Sequence, residues 1–199
     1  MKQCQPFCRP ENTFRLAIMY RNLSYIRSHM QASIFTEQDY PAIVQLVNAA
    51  YRGEASKEGW TTEAWIVGGE KRTNEQHLAS LLQQPGAVML QVKSDAGELL
   101  GCVFLRQDDE GLYLGMLSVW PKLQTHGVGK TLMWMAEEHA HQLGVHRIYM
   151  HVITARTELL EWYYRRGYVS TGQFKTFPSD PEFGVALQPL EFVVLEKQL

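Results

Sequence analysis

The chain has 199 residues, of which 45% are apolar and 20% charged, a globular composition that excludes wholesale disorder and fibrous repeats. Its 19 basic and 21 acidic side chains leave a formal charge of −2, so it lacks the basic excess that non-specific nucleic-acid binding needs. No apolar run reaches the roughly 18–20 residues of a membrane helix. Neither nucleic acid nor membrane is expected as a partner. Three cysteines, Cys4, Cys8 and Cys102, cannot all pair internally, which favours a reducing compartment and a cytoplasmic location. Cys4 and Cys8 have no second Cys or His pair at zinc-site spacing, and no metal is expected. Residues 1–30 read as an N-terminal extension without the apolar core of a secretory signal, and Met30 offers a second start. Residues 31–199 are expected to form one domain.

The first predicted element is a short strand at 32–36. Thr36 and Asp39 then form a helix-opening cap for a helix to Tyr51, with Ile43, Val44, Val47 and Ala50 at helical spacing. The stretch 53–72 is less periodic, with a short helix from Thr62 to Val67. Thr73 with Gln76 resembles a capping box for a helix carrying Leu78, Leu81 and Leu82, which Pro85-Gly86 stops. From Ala87 the period changes to two. Strands at 87–93, 99–106 and 112–119, separated by Asp/Gly turns, make an antiparallel meander. A helix over 127–143 ends at Gly144, and an apolar strand follows at 145–152. A helix capped by Thr154 runs to Arg166, and strands at 168–174 and 190–196 complete a mixed α/β sheet.

The crossover from the third meander strand through the 127–143 helix to strand 145–152 is the one βαβ-like unit, and ligands bind where such a strand ends and its helix begins. There the chain reads Leu117-Ser118-Val119-Trp120-Pro121-Lys122-Leu123-Gln124-Thr125-His126-Gly127-Val128-Gly129-Lys130-Thr131. Gly127-x-Gly129 at a helix start lets backbone N–H groups approach an anion that the helix dipole also favours; a helix start that needs glycine for packing is the plainer alternative. Gly129-Lys130-Thr131 matches the end of a P-loop, but Gln124 stands where that nucleotide-binding motif needs glycine.

Gln124-x-x-Gly127-x-Gly129, after the strand and before the helix, resembles the acetyl-CoA pyrophosphate loop of GNAT-type N-acetyltransferases. The downstream segment Leu160-Glu161-Trp162-Tyr163-Tyr164-Arg165-Arg166-Gly167-Tyr168 is similar to the family's helix-to-strand motif, and the likeness covers about residues 31–197. It implies a GNAT-like fold: a central, mostly antiparallel twisted sheet of six to seven strands, flanked by helices and splayed between the fourth and fifth strands. It also implies transfer of an acetyl group from acetyl-CoA to a primary amine by direct attack. Leu117, Ser118 and Val119 would face the pantetheine and thioester, and Gln124, Thr125, His126, Gly127, Val128, Gly129 and Lys130 the pyrophosphate. Arg156 stands where many relatives carry a cofactor-side asparagine, and would bind phosphate or cap the helix. Tyr163 takes the family's tyrosine position as proton donor to the departing thiolate; a merely packed aromatic is the alternative.

No acidic residue lies in 112–119, where some relatives keep a general base, so Glu54, Glu63, Glu70, Glu191 or a water relay remain open for that role. The acceptor site is expected from 51–72 and 177–188, with Trp60, Trp65 and Phe183 as an apolar wall and Glu54 or Glu63 attracting an ammonium group. A small-molecule amine is favoured over a basic protein tail, because the chain has no strong acidic run. His139 and His141, two apart on a helix, face different directions and suit no shared metal. A non-catalytic acyl-CoA sensor is the competing class. An edge strand such as 190–196 would allow a homodimer.

Overall fold

In the computed structural model, which describes residues 30–178 and 180–199, every residue from Gly101 to Leu105 is buried. A strand of that kind must be covered on both faces. Val103 and Leu105 pack with Leu132, Met135 and Ala136 on one side. Cys102 and Phe104 pack with Ile43, Leu46, Val47 and Leu78 on the other. The elements that supply these layers are β1 (Met30–Ile34), α1 (Tyr40–Tyr51), α2 (Gly53–Ser56), β2 (Val67–Gly68), α3 (Glu75–Leu82), β3 (Ala87–Ser94), β4 (Leu99–Asp108) and β5 (Gly111–Val119). They are followed by α4 (Val128–Leu143), β6 (Arg147–Ile153), α5 (Thr157–Tyr164), β7 (Val169–Thr176), β8 (Val185–Ala186) and β9 (Glu191–Gln198).

Seven strands form one sheet in the order β1-β3-β4-β5-β6-β9-β7, and β2 pairs with β8 in a separate ribbon. Only β5 and β6 run parallel, and their pairing is confined to Leu112 with Ile148 and Tyr113 with Tyr149. On the other edge of β5, the register advances from Ser118 to Gly115 while β4 advances only from Cys102 to Phe104. The surplus residue is a bulge, and Met116 within it takes a left-handed φ of 47°. Bulges bend a strand away from its neighbour. The carboxyl halves of β5 and β6 therefore separate, and the expected splay between the fourth and fifth sheet strands is present.

Several predicted details differ. The last strand is interior rather than an edge: β9 pairs with β6 on one side and β7 on the other. Its run Val193-Val194-Leu195 is buried throughout, as a doubly covered strand requires, whereas β7 is exposed along nearly its whole length. Pairing of 190–196 with a second subunit is thus ruled out by its own neighbours. Residues 62–66 form a turn that leads into the β2–β8 ribbon, not a helix. Asn74, rather than Thr73, caps α3 by accepting the His77 N–H at 2.7 Å. Thr154 bonds the Glu191 carbonyl, and α5 begins only after Arg156. Among the described residues no helix is long and apolar enough to cross a membrane.

The Thr36–Asp39 cap does form, around a 3-10 turn, with the Thr36 N–H and hydroxyl donating to Asp39 Oδ2 at 2.8 and 2.9 Å. Asp39 also accepts from Gln91 at 2.9 Å and Lys93 at 2.7 Å on β3, so one carboxylate locks the β1–α1 corner to the sheet. Burial alone would raise its pKa. The bonds from Lys93, Thr36 and Gln91 prevail and hold it at about 2. Because the folded value lies below the unfolded one of about 3.9, its stabilisation is present above that pH and is lost as the pH falls towards 2. Urea unfolding between pH 5 and pH 2 is expected to show a shallower loss of stability in Asp39→Asn than in the parent protein.

Candidate active site

The chain leaves β5 through Trp120, whose indole N–H donates to the Leu99 carbonyl at 2.7 Å, and enters α4 through the loop 124–127. Thr125 at φ 76° and Gly127 at φ 90° wind that loop left-handed, and Gly127 caps the helix. The N–H groups of Val128, Gly129 and Lys130 belong to the first helical turn and so have no intrahelical acceptor. Together with the positive end of the helix dipole they suit an anion. A Cβ on Gly129 would lie 3.5 Å from the Trp162 ring and 3.9 Å from Val119. The bare glycine keeps open a channel between β5 and α5.

That channel is a cavity of about 120 Å³, lined by Leu117, Val119, Gln124, Thr125, Gly127, Gly129 and Lys130 among others. Arg156 also lines it, whereas the side chains of Ser118, His126 and Val128 do not. Ser118 is fully buried with its hydroxyl donating to the Met116 carbonyl at 3.0 Å, because alternate strand residues face opposite sides. Val128 belongs to the core, and His126 is exposed with Nδ1 3.1 Å from the Gln124 carbonyl. The Gln124 side chain accepts the Trp60 N–H at 3.0 Å. This bond ties the loop to the segment that leads to Glu63, and Trp60 itself lines the channel.

A second cavity, of about 350 Å³, opens on the other side of a wall formed by Tyr51, Leu117, Arg156, Leu159 and Tyr163, which line both. Tyr163 is 5% exposed, and no hydrogen bond from another described residue engages its hydroxyl. Burial, reinforced by neighbouring Tyr51, pushes its pKa up. Tyr51 donates to the Leu117 carbonyl at 3.1 Å, and burial with the nearby Glu63 charge pushes its pKa to about 12. Both phenols are therefore protonated at neutral pH.

Arg156 is buried, and its guanidinium donates to Glu63 at 3.1 Å and to Thr61 at 2.6 Å. Glu63 also accepts from Arg52 at 2.5 Å. The carboxylate expected to attract an ammonium is thus enclosed by two guanidiniums, and Arg156 is committed to that pair rather than to phosphate. Glu54 is fully solvated beside Lys57 and lines neither cavity. Trp65 lies on the surface with Lys57 over its ring, whereas Phe183 stacks on His77 in the second cavity. Glu70 and Glu191 line neither cavity. His139 is half-buried on α4, and burial lowers its pKa.

Tyr51, Arg52, Arg72, His77 and His151 were not singled out by the sequence reading. Their convergence depends on α1, α3 with the segment before it, and β6 meeting across the splay, for which no local spacing is a signal. Burial and the nearby Arg72 lower the pKa of His77, and burial with the charge of Lys175 lowers that of His151.

A model of the GNAT acetyltransferase family matches residues 41–168, more than half of the chain. The chain belongs to the GNAT acetyltransferase family. No curated protein matches the sequence, but solved structures share the fold. The ribosomal-protein-S18-alanine N-acetyltransferase from Escherichia coli is 14% identical, with 85% of this chain and 93% of that one covered at a TM-score of 0.62. PaiA N-acetyltransferase from Thermoplasma acidophilum, in complex with coenzyme A, is 18% identical over 85% and 99% of the two chains, with a TM-score of 0.62. Nourseothricin acetyltransferase is 18% identical over 85% and 98%, with a TM-score of 0.60. As a GNAT acetyltransferase the chain uses acetyl-CoA, and the free N–H groups, the left-handed loop and the bare Gly129 fit a phosphate-bearing, narrow-bodied co-substrate.

Gly129→Leu is expected to weaken acetyl-CoA binding by about tenfold or more, equivalent to about 1.4 kcal/mol, by calorimetric titration. The fold should be unharmed, because leucine is the better helix former. Glu63→Gln leaves the buried Arg52 guanidinium without a carboxylate and Arg156 with only the more distant Glu158, 3.9 Å from its Nε, and a loss of about 3–5 kcal/mol is expected in urea unfolding.

Proposed function

We propose that this acetyltransferase acetylates the primary amine of a small molecule by direct attack on acetyl-CoA, with Tyr163 as general acid. The observation that carries this reading is the shared wall: the channel beneath the α4 N-terminus and the larger cavity meet at Tyr163, whose hydroxyl has no hydrogen-bond partner among the described residues. Acetyl-CoA supplies an activated thioester carbonyl and a thiolate leaving group. The α4 N–H groups and Lys130 hold the pyrophosphate, and the Leu117–Val119 backbone flanks the pantetheine arm. Tyr163 keeps its proton through burial and delivers it from Oη to the departing sulfur. Arg52, Arg72 and Arg156 line the acceptor cavity, and their field disfavours an ammonium ion, so a bound amine loses its proton more readily. That effect supports nucleophile formation without a carboxylate base on β5. The cavity's volume of about 350 Å³ falls in the small-molecule range of about 300–1,000 Å³.

Tyr163→Phe preserves the ring packing against Trp162 and Tyr168 and removes only the hydroxyl. Turnover is expected to fall by about 10²- to 10⁴-fold, with the Kd for acetyl-CoA unchanged within about threefold. A turnover change below about threefold overturns the assignment.

A further inference from the structure

The acceptor cavity carries more positive charge than its own residues balance. Three guanidiniums line it, those of Arg52, Arg72 and Arg156, and the carboxylates are Glu63 and Asp180. Glu63 is shared by Arg52 and Arg156, while the exposed Glu158, outside the lining, approaches Arg156 Nε only to 3.9 Å, so within the lining that triad keeps one net positive charge. Asp180 lies exposed at the rim, with Oδ1 accepting the Glu182 N–H at 2.8 Å. Neighbouring Glu182 is bonded to Asn74 at 2.6 Å. The two imidazoles in the lining, His77 and His151, have pKa values lowered by burial and supply no negative charge.

Arg72 is the part of this lining that is left open. It is half-buried, has no carboxylate within ion-pair distance among the described residues, and its guanidinium lies 5.8 Å from the Tyr51 ring. Its backbone is fixed. Asn48 on α1 accepts the N–H groups of Arg72 and Thr73 at 2.6 and 3.0 Å and donates to the Thr73 carbonyl at 3.0 Å. Nε of Arg52 and of Arg156, both buried side chains, also lack hydrogen-bond partners. Buried donors without acceptors and cations without counter-charges are costly. A guanidinium fork held in place matches a planar carboxylate.

We propose that the acceptor of this acetyltransferase is a small amino acid whose carboxylate is bound by Arg72 and whose amine faces the wall shared with the acetyl-CoA channel. This rests on the reading of the larger cavity as the acceptor site. The Tyr51 ring lies 5.8 Å from the Arg72 guanidinium and 6.0 Å from that of Arg156 and, with Tyr163, belongs to the wall between the two cavities, so the anion site and that wall share the Tyr51 side chain, an arrangement suited to a compact amino acid. Met150, Ile153, Phe177 and Phe192 provide an apolar lining for its hydrocarbon part. A polyamine or other purely cationic acceptor would meet like charge in the same space.

The test separates anion binding from acetyl transfer. Protein saturated with coenzyme A is titrated calorimetrically with leucine, methionine and phenylalanine and with their decarboxylated amines. At least one amino acid is expected to bind about ten- to a hundredfold more tightly than its amine, the equivalent of one charged hydrogen-bonded contact. Arg72→Gln should abolish that preference and Arg72→Glu reverse it, each leaving the acetyl-CoA Kd within about twofold. Equal or tighter binding of the decarboxylated amines, no binding by any amino acid, or an undiminished preference in both variants overturns the proposal. Thiol release from acetyl-CoA in the same mixtures reads the transfer assignment independently. Selective amino-acid binding without thiol release sinks the transfer reading and leaves the anion site standing, whereas thiol release with the amines alone does the reverse.

Discussion

Where β4 advances from Cys102 to Phe104, β5 uses the additional residue between Ser118 and Gly115, with Met116 held at a φ of 47°. Because a parallel pair needs continuous register, that surplus ends the β5–β6 ladder after Tyr113 and Tyr149. Both cavities occupy the resulting wedge. The α4 N-terminus closes one end, α5 and Tyr163 fill the middle, and the β2–β8 ribbon with the Phe183 loop borders the other. Without the bulge, the sheet would hydrogen-bond through the space in which both cavities now lie.

The segment 60–63 links the two sides of this wedge by a series of polar contacts. Trp60 reaches Gln124 of the loop, Thr61 reaches Arg156 and Glu158, and Glu63 reaches Arg52 and Arg156. A buried ion triad is seldom a net source of stability relative to an apolar core. Its value here is positional, since it sets the end of α1, the start of α5 and the intervening segment in one arrangement. The same charges give the larger cavity its electrostatic character.

The placement of Gln124, Gly127 and Gly129 at the channel was legible in the sequence because their spacing at the start of α4 is local. The placement of Tyr163 beside the same channel was legible for a similar reason, being tied to Gly167 within one helix and its cap. The acceptor side was not. Glu63 looked like a free carboxylate because its partners, Arg52 and Arg156, come from α1 and the start of α5, and only the tertiary fold brings them into contact. Ser118 was grouped with Leu117 and Val119, although strand alternation sends it to the opposite face. The meander and α4 were read within a few residues from their periods of 2 and 3.6, whereas the two-residue strands β2 and β8 have no period to detect. The last strand's buried Val193-Val194-Leu195 run already carried the signature of a doubly covered strand, and its place at the chain's end disguised it.

That interior position has a consequence for how the protein is made. β6 and β7 are not paired with each other; each pairs with β9, which follows both in the chain. While the chain grows, β1, β3, β4 and β5 can assemble in order of appearance, but β6 has only its two-pair junction with β5 and β7 has no sheet partner until Glu191–Gln198 leaves the ribosome. Three of the seven strands therefore come together only once β9 is available, and until then β6 presents an open, largely apolar edge of the kind that invites aggregation.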